Sequence, residues 1–391
     1  MRIGGTEGGN MKRELSIALV AVAALGLWSC GDDEAQVTDG REIFRNDTFG
    51  DERQWTDVLH MNEVIETAVD PVTALSVGLK VDSEVLPPGL LASADLKNPA
   101  TTVALIKLNA VVGIKGTVVT EGGRDRLTRV GITCALCHST VDDSVMPGIG
   151  RRLDGWANTT LNPGAIIALS PALTPQQKAV YNSWGPGRYD PRFNIDGRST
   201  PVVIPPAYGL RNAPSATYTG DGDVRYWNNY VAVTQMGGQG SFVDERIGVS
   251  RTLPDGTPDL VGPKLNALRD YQLSLAAPAP PAGSFDSTAA QRGRAVFDGA
   301  GRCASCHQGE VHTQEALHAP GEVGTDGTYA TRTATKRYRS TPLRALWQHP
   351  PYFHDGSART LDAVVDHYIA LFGLNLTPGQ RSDLVEYLKS I

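Results

Sequence analysis

Cys134-Ala-Leu-Cys137-His138 and Cys303-Ala-Ser-Cys306-His307 decide the interpretation of this chain, because both follow the pattern Cys-x-x-Cys-His. Two thiols three positions apart on one helical turn can each add to a vinyl group of the same porphyrin, and the next histidine can bind the iron axially. One such stretch could equally be half of a zinc site or a redox dithiol. Two in one chain predict two covalent c-type haems, with His138 and His307 as proximal iron ligands.

The composition describes a globular protein. The chain has 391 residues, of which 41% are hydrophobic and 20% charged, which excludes a disordered tail and a membrane bundle. Its net charge of −6 lacks the basic excess that binding to nucleic acid requires, so we expect no nucleic-acid partner. Five cysteines are too few for a disulfide scaffold, and four of them lie in the two motifs.

The N-terminus has the features of an export signal. A basic start at Lys12 and Arg13 precedes an apolar run, Leu15 to Trp28, that is too short to span a bilayer. The run ends at Leu27-Trp28-Ser29-Cys30, which resembles a bacterial lipobox; a plain signal peptide is the alternative. We expect residues 1–29 to be a lipoprotein signal peptide and Cys30 to carry the lipid. The protein would then lie on the periplasmic or cell-surface side of a bacterial membrane, held only by this anchor.

A run rich in proline and alanine, residues 276–284, predicts a linker between two domains. Residues 30–275 would form an N-terminal haem domain with an extension, and residues 285–391 a C-terminal cytochrome c-like haem domain. Ser287 and the capping box at Thr377 predict helices at the two ends of the second domain. Long stretches rich in Gly, Pro, Thr and Asp predict loops with at most short strands. The predicted fold is mainly α with long irregular loops and two cytochrome c-like haem domains.

The sequence limits the distal ligands of the two irons. No methionine follows Met236, so the second iron would take a histidine, a tyrosine or nothing as sixth ligand. The candidates in the C-terminal domain are His312, His318, His349, His354, His367 and Tyr368. The N-terminal domain offers only His60, Met61, Met146 and Met236 besides His138. An open, five-coordinate iron is therefore plausible at the first haem.

Residues 341–368 resemble the C-terminal haem domain of the bacterial di-haem cytochrome c peroxidase and MauG family. They include Pro351-Tyr-Phe-His354-Asp-Gly356, which is similar to a signature of that family. In the family, the distal ligand of the second haem lies 14 residues after the signature histidine, a position that Tyr368 occupies here, with His367 as rival. The resemblance implies that the N-terminal haem binds peroxide or dioxygen and the C-terminal haem transfers electrons. His354 would lie between them.

The resemblance also implies a calcium ion at the domain interface, with Asn212 at a ligand position, although His349 stands where the family has threonine. A second departure concerns electron transfer between the haems. Gly220 stands where the family has an inter-haem tryptophan, so Trp227 or Trp347 would have to substitute.

A third departure leaves two functions open. Tyr230 and Gly240 occupy the positions of the family's distal Gln and Glu, which act as acid and base in cleaving the peroxide O–O bond. Gln235 and Gln239 are the nearby candidates for catalytic residues, together with His354. The chain is then either a peroxidase-like, MauG-like or oxygenase-like redox enzyme or a non-catalytic electron-transfer di-haem lipoprotein. Its acidic charge suits a small basic cytochrome, or another periplasmic electron-transfer protein, as partner.

Overall fold

The computed structural model describes residues 39–391, so the predicted signal peptide and Cys30 lie outside the described residues. The fold is rich in helices and carries small two-stranded sheets, as the sequence predicts. Within residues 39–391, no helix combines the length and the apolar character that crossing a membrane requires.

The helices are mostly short and are joined by long irregular segments. A helix covers residues 39–46, and two π-helical turns cover Arg53–Val58 and Ala232–Met236. The other α-helices are Met61–Ala68, Pro71–Ser76, Leu90–Ser93, Pro99–Lys107, Ala135–His138, Pro163–Ala168, Pro175–Asn182, Phe193–Asp196, Val224–Val231, Leu265–Ser274, Ser287–Asp298, Leu361–Phe372 and Pro378–Ser390.

The longest sheet is an antiparallel hairpin of Ile114–Glu121 with Arg124–Ile132. It lies outside the loop-rich stretches, residues 185–223 and 319–342, in which the strands are two residues long as expected. Gly122 and Gly123, at φ +57° and +81°, form its turn, because two consecutive positive φ angles suit the twist of a hairpin. The Gly-Gly pair between runs of β-branched residues is the signal that predicts it. The second strand ends two residues before Cys134 and so delivers the first motif.

The remaining strands are two or three residues long and pair locally. They are Val81–Asp82 with Ile149–Gly150, Ser139–Val141 with Arg152–Asp154, Arg188–Tyr189 with Val202–Val203, Phe242–Asp244 with Val249–Arg251, and Leu317–His318 with Tyr338–Arg339.

The first and last helices of the C-terminal region, Ser287–Asp298 and Pro378–Ser390, pack against each other. The predicted capping box at Thr377 is confirmed, whereas the cap of the other helix is Asp286, one residue before the predicted Ser287. The contact is tightest at Gly293, where an added Cβ would lie 1.9 Å from the carbonyl oxygen of Asp383. Only a residue without a side chain allows this approach.

Asp154 is a buried junction that holds the segment following the first motif. Its carboxylate accepts hydrogen bonds from Ser139 Oγ at 2.8 Å, Tyr271 Oη at 2.6 Å and the guanidinium groups of Arg45 and Arg152. Burial alone would raise its pKa, but Arg152, Tyr271 and Arg45 outweigh burial and lower it. Because Ser139 directly follows His138, this ionised carboxylate positions the first motif.

We expect Gly293→Ala to lower the free energy of unfolding by about 1–3 kcal/mol, because the helices must separate to admit the methyl group. Urea denaturation of the haem-loaded protein, followed by circular dichroism, measures the change. Gly321→Ala is the matched control, since nothing lies within 4 Å of a Cβ there and its φ is ordinary. Equal stabilities of the two variants would contradict the tight contact.

We expect Asp154→Asn to lower the free energy of unfolding by about 3 kcal/mol at neutral pH, because it leaves Arg152 buried without its carboxylate. The folded-state pKa of Asp154 is lowered, so its contribution is complete above the unfolded value of 3.8 and is lost as the pH falls through the folded value. The stability difference between wild type and variant should therefore shrink below about pH 4.

Urea denaturation at several pH values tests this expectation. Asp298→Asn, at an exposed residue 3.9 Å from Arg294, serves as control. A difference that stays constant as the pH falls would count against an ionised Asp154.

Candidate haem-binding sites

The first motif places His138 at the end of the short helix Ala135–His138. Nδ1 of its ring donates a hydrogen bond to the carbonyl oxygen of Pro205 at 3.0 Å. Burial lowers the pKa of His138 to about 4, so the ring is neutral and Nε2 keeps a lone pair. A histidine that binds a metal is commonly fixed in this way by a partner on its other nitrogen.

The two thiols of the first motif lie between two hydrophobic clusters. Cys134 packs against the cluster that contains Phe44 and Trp227, and Cys137 packs against the cluster that contains Leu161. Both thiols are free and partly accessible, and burial raises their pKa to about 12. A redox-active dithiol needs a lowered thiol pKa, so this environment favours a thioether to an apolar cofactor.

The second motif repeats this arrangement. Its cysteines lie on and just after the turn Cys303–Ser305, and Nδ1 of His307 donates to the carbonyl oxygen of His312 at 2.9 Å. Burial lowers the pKa of His307 and raises that of Cys303 to about 11. Among residues 39–391, no three His, Cys, Asp or Glu side chains are grouped so as to hold a metal ion. The residues at both motifs fit covalent haem better than zinc.

A large cavity opens beside the second motif, with about 250 Å³ of room for the centres of water molecules. Cys303, Cys306 and His307 line it on one side. Its apolar wall suits the faces of a porphyrin and comprises Leu343, Leu346, Leu361, Val364, Val365, Ile369, Phe372, Leu384 and Leu388. Pro205, Tyr208 and Tyr218 also line it, so residues on both sides of the predicted linker build this cavity.

Tyr368, the predicted distal ligand, lies in the wall of the cavity. Burial raises its pKa to about 12, and its ring stacks on Phe372 with centroids 5.7 Å apart. The rival His367 instead donates from Nε2 to the carbonyl oxygen of Val323 at 2.9 Å. The geometry favours Tyr368 over His367.

The other candidate ligands of the second iron fall into two groups. His318 and His349 line the cavity, and Nε2 of His318 lies 3.1 Å from the hydroxyl of Ser340. His312 instead bonds the Tyr387 hydroxyl through Nε2 at 3.1 Å, and its carbonyl supports His307.

His354, predicted to lie between the haems, is buried in the wall of the same cavity. Its Nε2 lies 3.0 Å from the Tyr338 hydroxyl, and its carbonyl oxygen accepts a hydrogen bond from Val203 N at 2.7 Å. Val203 is two residues from Pro205, which supports His138. A path of two hydrogen bonds and a short backbone segment therefore joins His354 to His138.

The predicted catalytic glutamines differ in their surroundings. Gln235 Oε1 accepts a hydrogen bond from the hydroxyl of Tyr189 at 2.9 Å, and burial raises the pKa of that phenol. Gln239 donates instead to the carbonyl oxygen of Pro258 at 2.8 Å, in a loop. Of the two, only Gln235 is hydrogen-bonded to several polar side chains; the catalytic roles of both glutamines stay predictions.

Asn212, the predicted calcium ligand, is exposed and has a φ of +65°. Its side chain makes no hydrogen bond to another described residue that would fix a coordinating geometry. The calcium site stays a prediction.

Of the two tryptophans expected to substitute at Gly220, Trp227 is buried in a core cluster of the N-terminal region. Trp347 packs edge-to-face on Trp156 with ring centroids 5.7 Å apart. Trp156 follows Gly155, whose N–H donates to the carbonyl oxygen of His138 at 2.8 Å. Trp347, next to the cavity residue Leu346, thus contacts a residue beside the first motif.

The structure gives three residues roles that the sequence analysis did not predict. Pro205 and His312 act through backbone carbonyls, which leave no residue signature. Trp156 could have been proposed from the sequence as a residue near the first haem, because it is one of only six tryptophans and lies 18 residues after His138.

Residues 290–391 match the cytochrome c family. The methylamine utilization protein MauG of Methylorubrum extorquens is 32% identical over 120 residues, which cover 26% of this chain and 34% of MauG. The chain thus matches about a third of the length of that relative.

Two solved structures share a weak similarity with the chain. A hydrazine synthase of Kuenenia stuttgartiensis is 17% identical, with 50% of this chain and 74% of that chain covered and a TM-score of 0.37. A variant of the diheme peroxidase BthA of Burkholderia thailandensis is 15% identical, with 61% and 81% covered and a TM-score of 0.34. TM-scores this low do not define the fold.

The sequence matches agree with the signature at His354 and with the geometry of the second motif. The part of the chain that matches the cytochrome c family is its C-terminal region, residues 290–391, and a stretch of 120 residues is similar to MauG.

Proposed function

We propose that this protein is a two-haem redox protein in which the N-terminal haem, at Cys134, Cys137 and His138, reacts with peroxide or dioxygen. The C-terminal haem, at Cys303, Cys306 and His307, exchanges electrons with it. The observation that carries the proposal is the repeated histidine geometry. At both motifs a partly buried, neutral ring donates from Nδ1 to a backbone carbonyl, which leaves Nε2 for iron.

The different roles of the two haems rest on their distal sides. At the second site Tyr368 reaches into the cavity and would fill the sixth position. At the first site the soft or imidazole candidates are poorly placed. The His60 and Met146 side chains are about half and two-fifths exposed, and Met61 and Met236 are packed in hydrophobic clusters. An open first iron is the state that binds a small oxidant.

A bound c-type haem supplies one-electron redox chemistry at its iron. The protein residues orient and shield it. Pro205 and His312 fix the planes of the proximal imidazoles, and the leucine-rich wall of the second cavity excludes water. Electrons would cross between the sites through the Trp156–Trp347 contact and the segment that joins Val203 to Pro205.

A non-catalytic electron carrier is the second candidate. It is favoured by the residues at the two positions, 230 and 240, where the resemblance would place an acid and a base. The hydroxyl of the buried Tyr230 donates to the Pro191 carbonyl oxygen, so it is not free to move a proton. Gly240 packs so closely against Val261 that an added Cβ would lie 2.7 Å from that side chain. Neither position offers the base that O–O cleavage needs.

The location and partner follow as part of the proposal. A lipid on Cys30 would hold the protein at the periplasmic or cell-surface side of a bacterial membrane, and a small basic cytochrome would deliver or accept electrons. The net charge of −6 supports such a partner.

Low-temperature EPR of the ferric protein separates the two functions. We expect one high-spin signal that converts on addition of cyanide, because the first iron lacks a sixth protein ligand, and one signal that cyanide leaves unchanged. Pyridine haemochrome analysis should give two haems per chain as a control. Two low-spin signals that are both indifferent to cyanide would overturn the enzyme function and leave the electron carrier.

Replacement of Tyr368 tests the assignment of the second site. We expect Tyr368→Phe to create a new cyanide-sensitive high-spin signal, because phenylalanine keeps the packing on Phe372 but removes the oxygen ligand. Tyr352→Phe is the matched control, since Tyr352 also lines the cavity but its hydroxyl donates to the Leu346 carbonyl oxygen at 2.8 Å. An unchanged spectrum of Tyr368→Phe would rule out Tyr368 as the ligand.

A further inference from the structure

Arg339 projects into the wall of the second cavity from the end of the strand Tyr338–Arg339. Its backbone N–H donates to the carbonyl oxygen of Tyr218 at 2.9 Å, and its Nη1 donates to the carbonyl oxygen of Ser215. The arginine is therefore held between the C-terminal cavity and residues 215–218 of the N-terminal region.

The guanidinium of Arg339 has no counter-ion among residues 39–391. Its Nε is buried without a hydrogen-bond partner, and the phenol of Tyr218 is the one described group that acts on its charge. Burial lowers the pKa of Arg339 to about 10. A buried charge without a partner is strongly unfavourable, so an arginine in this position calls for an anion.

The other deeply buried arginines make the contrast plain. Arg192 pairs with Asp221 at 3.1 Å, and Arg332 pairs with Asp190 at 2.9 Å. Arg152 likewise pairs with Asp154 at 2.9 Å. The fold supplies a carboxylate to each of these, whereas Arg339 instead faces a cavity.

Gly220 lies beside Arg339, and an added Cβ at Gly220 would lie 3.7 Å from Arg339 Cβ and 2.8 Å from the side chain of Leu317. A large side chain at this position would collide with Leu317, on the strand paired with that of Arg339. The cavity also contains Arg344, but that guanidinium donates to the carbonyl oxygen of Glu310 and is half-buried. Arg302 also lines the cavity, but its side chain is exposed to solvent. Arg339 is thus the described arginine of the cavity wall that has a buried donor without a partner.

We propose that Arg339 binds a carboxylate of the cofactor, a propionate of the haem attached at Cys303 and Cys306. The planar guanidinium fork matches a carboxylate, and the apolar surroundings strengthen the pair. This inference rests on the haem of the proposed function at that site. Arg339 would neutralise one propionate and would thereby raise the reduction potential of the second haem.

The test is the midpoint potential of the second haem in the full-length haem-loaded protein, with Arg339→Gln compared to wild type. Loss of the positive charge leaves the propionate unneutralised and favours ferric iron. We expect the ferric-to-ferrous ratio at a fixed potential to rise about tenfold, which corresponds to a fall of about 59 mV for one electron. Arg337→Gln is the matched control, because Arg337 is an exposed arginine two residues earlier.

Mass analysis of the peptide that contains Cys303 and Cys306 distinguishes a failure of the proposed function from a failure of the role of Arg339. Absence of haem on that peptide overturns the proposed function. Presence of haem, with a potential that Arg339→Gln leaves unchanged, overturns the role of Arg339 alone.

A second variant decides the question if Arg339→Gln does not accumulate. Arg339→Lys keeps the charge but loses the bidentate fork, so the potential should stay near wild type while the propionate bending band in the resonance Raman spectrum shifts. An unshifted band would overturn the proposal.

Discussion

Each of the two motif histidines is fixed by a single hydrogen bond from ring Nδ1 to a backbone carbonyl, and the arrangement of both sites depends on these bonds. At His138 the acceptor is Pro205, in a segment 67 residues away. At His307 the acceptor is His312, within the same loop. Burial keeps both rings neutral, so the free nitrogen of each can bind iron. The support of the first histidine therefore depends on a long-range contact, whereas the support of the second histidine is local.

The difference between local and long-range contacts explains what could be predicted from the sequence. The helix-rich fold, the capping box at Thr377 and the resemblance of the C-terminal region to MauG follow from short patterns. The structure confirms the first two, and the sequence match to MauG supports the third. Tyr368 was selected by its fixed offset from His354; the residue lines the cavity, and its role as a ligand stays a prediction. By contrast, the hairpin at Gly122–Gly123, which leads directly into the first motif, is not among these predictions, although its Gly-Gly turn has a recognisable pattern.

Residues that act through the backbone or through burial could not be predicted. Pro205 contributes a carbonyl, and nothing in its side chain marks it as a support for His138. Gln235 and Gln239 look alike in the sequence, but only the fold reveals that one contacts Tyr189 while the other closes a loop at Pro258. Arg339 becomes informative only when every buried arginine and its partner are compared.

The shared wall of the second cavity has a consequence for how the chain can be divided. Pro205, Tyr208 and Tyr218 precede the linker, yet they line the cavity beside Cys303. A fragment made of residues 285–391 alone would leave one side of its haem open to solvent, which changes the dielectric around the iron. Separating the two regions, or exchanging the C-terminal one for an unrelated cytochrome c, would therefore remove part of the wall of this cavity.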